Sequence, residues 1–92
     1  MSAPEGYEWD EAKRLATLVK HRLDFGDAEL LLAGECWVRR SEYPAEVRWM
    51  ATGVLRGDWV TLVFTWREDR RRVITMRPAR REERYGDRAL HG

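Results

Sequence analysis

Hydrophobic and polar positions follow two periods along this chain, and the period changes once. From Glu11 to Arg22 the apolar residues are Ala12, Leu15, Ala16, Leu18 and Val19. That 3.6-residue spacing predicts an amphipathic helix. Asp10 stands as its N-cap, and Glu11 puts negative charge in the first turn. Tyr7 to Trp9, just before it, reads as a short strand. A second helix is predicted from Asp24 as N-cap, through Ala28 and Leu30–Leu32, to Gly34. Beyond Gly34 a period of two takes over. Cys36 to Val38 begins a strand, and Pro44 interrupts regular structure. Glu46 to Leu55 sets Val47, Trp49, Ala51 and Leu55 against Arg48 and Thr52. Arg56-Gly57-Asp58 reads as a hairpin turn. Val60, Leu62, Phe64 and Trp66 then alternate with Thr61, Val63, Thr65 and Arg67. The charged run Arg67 to Arg71 reads as a turn, and Arg72 to Arg77 as the last strand. Ala79 to Tyr85 suits a short helix entered through Pro78, with a frayed tail after Gly86. Helices first and strands afterwards argue α+β rather than α/β. The expected architecture is two N-terminal helices packed on an antiparallel sheet of three to four strands, with a short C-terminal helix.

Size narrows this picture. At 92 residues and 43% hydrophobic content, the chain has room for one modest core, burying about 60–65% of its unfolded surface. A single domain over 1–92 is expected, which excludes two-domain enzymes and built-in cofactor domains. No apolar run approaches the ~20 residues that span a bilayer, and Met1 to Trp9 does not read as a secretory signal. Cys36 is the single cysteine, and His21 and His91 lie far apart in the chain. Neither a disulfide nor a sequence-local metal cluster is expected, and no cofactor. These features suit an intracellular, cytoplasmic protein with no membrane partner.

Charge adds a direction. The formal net charge is only +1, yet 1–46 carry ten acidic and six basic residues, whereas 67–92 carry nine Arg and five acidic residues. Fifteen of the 17 basic residues are Arg, whose planar fork grips phosphate in two places. Such a C-terminal third fits a phosphate-bearing partner. It fits equally a solvated basic strand balanced by Glu82 and Glu83.

Several short motifs in order resemble the BrnT family, the toxins of type II toxin–antitoxin pairs. They are Tyr7-Glu8-Trp9-Asp10, Lys13, Lys20-His21, Phe25 and Ala28, then Glu46-Val47-Arg48 and Gly53. The strand Val60 to Arg67, the run Arg72-Val73-Ile74-Thr75-Met76-Arg77, Ala79, Glu82 or Glu83, and Tyr85 complete the set. The resemblance covers about residues 7–86. The chain departs from the family's pattern at Thr17, at Arg22 where Gly is usual, at Thr75-Met76, and at Pro78. The resemblance implies a RelE-like fold and an endoribonuclease that arrests translation. It also implies a BrnA-like antitoxin with a DNA-binding region, and contact with operator DNA only through that complex.

Metal-independent RNA cleavage needs a base for the 2′-hydroxyl proton, cations on the phosphoryl oxygens and an acid for the leaving 5′ oxygen. On the resemblance, Arg67 and Arg77 bind the scissile phosphate, and Lys20, His21 and Tyr85 complete the catalytic set. Lys13, Arg72, Arg80 and Arg81 contact flanking RNA. Arg67 and Arg72 flank one turn and are expected to converge. Each assignment has a plain counterpart. The arginines suit a solvated sheet edge, Lys20-His21 suits a helix C-terminus, and Tyr85 suits an anchor for the last helix. Glu82 and Glu83 suit pairing with Arg side chains. Trp9, Trp37, Trp49, Trp59 and Trp66 suit the core or an antitoxin-binding patch. The competing reading is a non-catalytic nucleic-acid-binding or protein-interaction module using the same Arg-rich face.

Overall fold

The computed structural model of the chain describes residues 5–42, 44–84 and 86. Its elements in order are strand β1 (Tyr7–Glu8), helix α1 (Glu11–His21), a 3₁₀ turn (Phe25–Asp27) and helix α2 (Ala28–Ala33). Strands β2 (Cys36–Glu42), β3 (Val47–Leu55), β4 (Asp58–Arg67) and β5 (Arg70–Pro78) follow, and residues 81–84 are helical. The α+β class holds. The sheet has five strands in the order β1-β5-β4-β3-β2 and is mixed, because β1 runs parallel to β5. The expected three or four antiparallel strands therefore underestimate it. A two-residue strand is too short to show a period, so its partner is invisible in the sequence.

Local chemistry explains most boundaries. Asp10 caps α1 by accepting from the amides of Ala12 (2.9 Å) and Lys13 (3.3 Å). Arg22 ends the helix in the left-handed region at φ 59°, the position where the family usually has Gly. Asp24 caps the 3₁₀ turn through the Gly26 amide, so the second helix is a 3₁₀ turn followed by a short α-helix, not one helix from Asp24. Two-residue turns at Arg56–Gly57 and Glu68–Asp69 join the antiparallel strands. The second is tighter than the charged run suggested, and β2 extends well past Val38.

The helices cover one face of the sheet. Phe25, Ala28 and Leu31 are buried there against Ala51, Leu62, Val73 and Met76. Gly53 lets the α2–β2 connection approach, since a Cβ at that position would lie 2.8 Å from the Glu35 carbonyl oxygen. No tryptophan is fully buried: Trp9 and Trp49 pack against the core, and Trp66 is exposed. The face that α1 turns to the protein is not its apolar one. Its single buried residue is Arg14, while Leu15 is 49% and Val19 82% exposed. Arg14 is buried because its charge is satisfied. Its guanidinium donates to Glu11 (3.0 Å to Oε2) and to both oxygens of Asp24 (3.1 and 3.2 Å). That cluster ties α1 to the following turn and rotates the apolar stripe toward solvent.

Candidate active site

The other face of the sheet is built from the alternate residues of β2 to β5. Register places Trp37, Thr52, Thr61 and Arg77 in one cross-strand row, and Arg39, Met50, Val63 and Thr75 in the next. A β-bulge then shifts the pairing: Val63 faces Thr75, but Phe64 faces Val73. The extra residue, Ile74, reverses the alternation of β5 beyond it. Arg72 and Arg70 therefore share a face with Arg77, and Arg67 lies opposite Arg70 on that same face. Arg71 is turned to the helix-covered side, where it stacks over Trp66 at 4.6 Å.

At one end of this face the C-terminal helical segment closes over the sheet. Glu83 is 5% exposed and is its centre. Arg77 donates to both carboxylate oxygens (Nη1–Oε1 2.7 Å, Nη2–Oε2 3.0 Å). Arg39 donates from Nη2 to Oε2, Thr61 from its hydroxyl to Oε1 (3.0 Å), and the Arg80 amide to Oε1 (2.7 Å). With its proton given to Glu83, the Thr61 hydroxyl accepts from Thr52 (2.7 Å), and Thr52 accepts from Arg39 Nη1 (3.1 Å). The two threonine hydroxyls thus relay one chain of hydrogen bonds from Arg39 to Glu83. The Arg39 guanidinium lies 4.2 Å from the Trp37 ring. The backbone at Gly86 rests on that same ring, so closely that a Cβ would lie 2.2 Å from Cζ3.

Electrostatics follow from this packing. Burial alone would raise the Glu83 carboxyl. The hydrogen bonds from Arg77, the Arg80 amide and Thr61 outweigh it and hold the group down at about 2. A carboxylate so acidic, with five donors aimed at it, is not a proton acceptor near neutrality. Its role is to hold two guanidiniums side by side. Burial lowers the Arg39 guanidinium from its ordinary value, and the neighbouring Arg77 adds to that, against the attraction of Glu83.

The strand arginines expected in the site divide between two ends of one face. Arg77 sits at the closed end. Arg67 and Arg70 sit at the other, seven residues away along β5, which is roughly 23 Å. Arg67 and Arg77 therefore do not meet on a single phosphate, contrary to expectation. Arg72 lies two residues from Arg70 and pairs with Glu8 at 2.8 Å. His21 ends α1 and lines a concavity of about 390 Å³ with Trp59, Pro78, Ala79 and Arg84, next in chain to Arg77. Lys20 and Lys13 are exposed on α1, seven residues apart, or about 10 Å along the helix. Arg80 and Arg81 are exposed where the chain leaves β5. Tyr85 lies outside the described residues. Arg39, Thr52 and Thr61 escape sequence reasoning, since only strand register brings them beside Arg77. Glu83 carried a hint, as an acid near many arginines.

Residues 9–83 match the family described as ribonuclease toxin, BrnT, of type II toxin–antitoxin system. The chain belongs to the BrnT family. No curated protein matches it. Membership of this family brings with it an RNA substrate and an antitoxin partner. No helix among the described residues of this BrnT-family chain is long and apolar enough to cross a bilayer.

Proposed function

We propose that this chain is a metal-independent endoribonuclease that cuts RNA on the Arg-lined face of its sheet and so inhibits translation. One observation carries the reading: Glu83 holds Arg77 and Arg39 together at the closed end of a face that continues with Arg72, Arg70 and Arg67. In the proposed reaction the RNA 2′-oxygen bonds to the adjacent phosphorus as the bond from phosphorus to the 5′ oxygen breaks. A base takes the 2′-hydroxyl proton, an acid protonates the 5′ oxygen, and a 2′,3′-cyclic phosphate remains. Arg77 and Arg39 stabilise the phosphoryl oxygens through the N–H groups that Glu83 leaves unused. His21 and Tyr85 are the proton carriers, with Lys20 beside His21. Arg72, Arg80, Arg81 and Lys13 hold flanking nucleotides. Arg67 serves a phosphate further along the strand.

The partner in this reading is a BrnA-like antitoxin that masks the toxin in the cytoplasm. Its DNA-binding region carries the complex to operator DNA. The test is incubation of the purified chain with total RNA in a chelator, with and without ribosomes. Fragments ending in cyclic phosphate support the reading. RNA that is bound but intact under both conditions overturns it in favour of a non-catalytic binding module.

A further inference from the structure

The helix-covered face of the sheet is only half covered. Beyond α2, toward the edge strand β2, lies an apolar groove of about 300 Å³ lined by Leu32, Val38, Trp49, Phe64, Trp66 and Arg71. A second concavity of about 390 Å³ continues it past Trp49 and Trp66. Val38 and Trp66 are each 46% exposed there. An exposed run of this kind on a small domain marks an interaction surface. Arg71 gives the surface a sign. Its guanidinium is stacked over Trp66 at 4.6 Å, with Tyr7 at 5.7 Å and Phe64 at 5.9 Å. Its Nε is buried and has no hydrogen-bond partner among the described residues. The same guanidinium is hydrogen-bonded to the Tyr7 side chain, and where it lines the groove its positive charge suits a carboxylate brought from outside.

We propose that this groove is where the antitoxin docks, through a segment that seats an apolar side chain on Trp49 and Trp66 and sets an Asp or Glu against Arg71. The proposal rests on the toxin reading above, which supplies the partner. An RNA partner is disfavoured by position, because the groove opens on the face opposite Arg77. Val38 and the Trp66 ring are the apolar anchors, and Arg71 at the groove's edge selects an acidic partner over a basic one. The groove thereby anchors the antitoxin beside β2, and masking of the Arg-lined face falls to the rest of the antitoxin chain.

The experiment titrates the antitoxin, the purified product of the reading frame adjoining this one, into the full chain. The variants are Val38→Asp, Arg71→Met and, as a control on the exposed side of α1, Val19→Asp. RNA cleavage by each free protein is measured alongside, and circular dichroism confirms folding. Val38→Asp and Arg71→Met are expected to weaken binding roughly thirtyfold, as loss of an interface anchor does. Val19→Asp stays within about twofold, and all variants cleave RNA at the parent rate. Arg71→Met also flattens the salt dependence of binding, as loss of a charged contact must. Groove variants that bind as tightly as the parent overturn the proposal, as does loss confined to Val19→Asp. A parent chain that self-associates through Val38 while binding antitoxin unchanged assigns the groove to a second copy instead. If the parent neither binds the antitoxin nor cleaves RNA, the toxin reading itself fails and the docking proposal falls with it.

Discussion

Glu83 accepts five hydrogen bonds, and four of its five donor groups come from Arg77 (two), Arg39 and Thr61 on the sheet. The pH dependence follows from its lowered carboxyl. In the folded chain it titrates at about 2, against an ordinary value of 4.5. Its contribution to stability is therefore full above 4.5 and is lost as pH falls through 2. Urea midpoints measured from pH 5 to pH 2 are expected to fall, and Glu83→Gln is expected to flatten that fall. Glu83→Ala strands two half-buried guanidiniums and costs about 3 kcal/mol, the low end for a broken buried pair. A loss under 1 kcal/mol in chemical denaturation would show that the network is solvated instead. At this scale the sequence was only partly legible. Arg77 stood out by its place in a known order of motifs. Arg39, 38 residues earlier, shares its carboxylate only because β2, β3, β4 and β5 align Trp37, Thr52, Thr61 and Arg77 in one row.

Elements are set by caps and turns, and these were the readable part. The Asp10 and Asp24 caps and the hairpin at Arg56–Gly57 lie where composition put them. Two features were not readable. The bulge at Ile74 reverses strand alternation, and nothing in an apolar β-branched residue announces it. The roll of α1 depends on an ion-pair cluster around Arg14 that overrides the helix's own apolar stripe. One cap is imperfect. Arg22 occupies the left-handed region at φ 59°, a conformation that costs an L-residue about 1 kcal/mol and glycine almost nothing. Arg22→Gly is expected to raise stability by about 1 kcal/mol, or roughly 5 °C in a domain of this size. A lowered melting temperature would mean that the Arg22 side chain contributes more than its backbone costs.

Across the whole molecule, the sheet divides the labour between its faces. One carries the core and, further out, the apolar groove. The other carries a line of guanidiniums from Arg77 to Arg67 that spans roughly 23 Å, room for several nucleotides. The net charge of +1 conceals this, because the acidic residues concentrate in the N-terminal half. Arg67→Ala and Arg70→Ala are expected to reduce the salt dependence of RNA binding by about one phosphate contact each. They should leave the rate at saturating RNA within about twofold. An unchanged salt slope would remove that end of the face from the RNA path. The central claim is that the guanidinium pair held by Glu83 stabilises the scissile phosphate. Its most direct test is the single-turnover cleavage rate of a defined oligoribonucleotide by the parent, Arg77→Ala and Arg77→Lys. Arg77→Ala is expected to lose about 10²–10³ in rate. Arg77→Lys should recover only a small part, because a point charge does not replace the planar fork. An Arg77→Ala protein that is folded and cuts RNA at the parent rate would contradict the account.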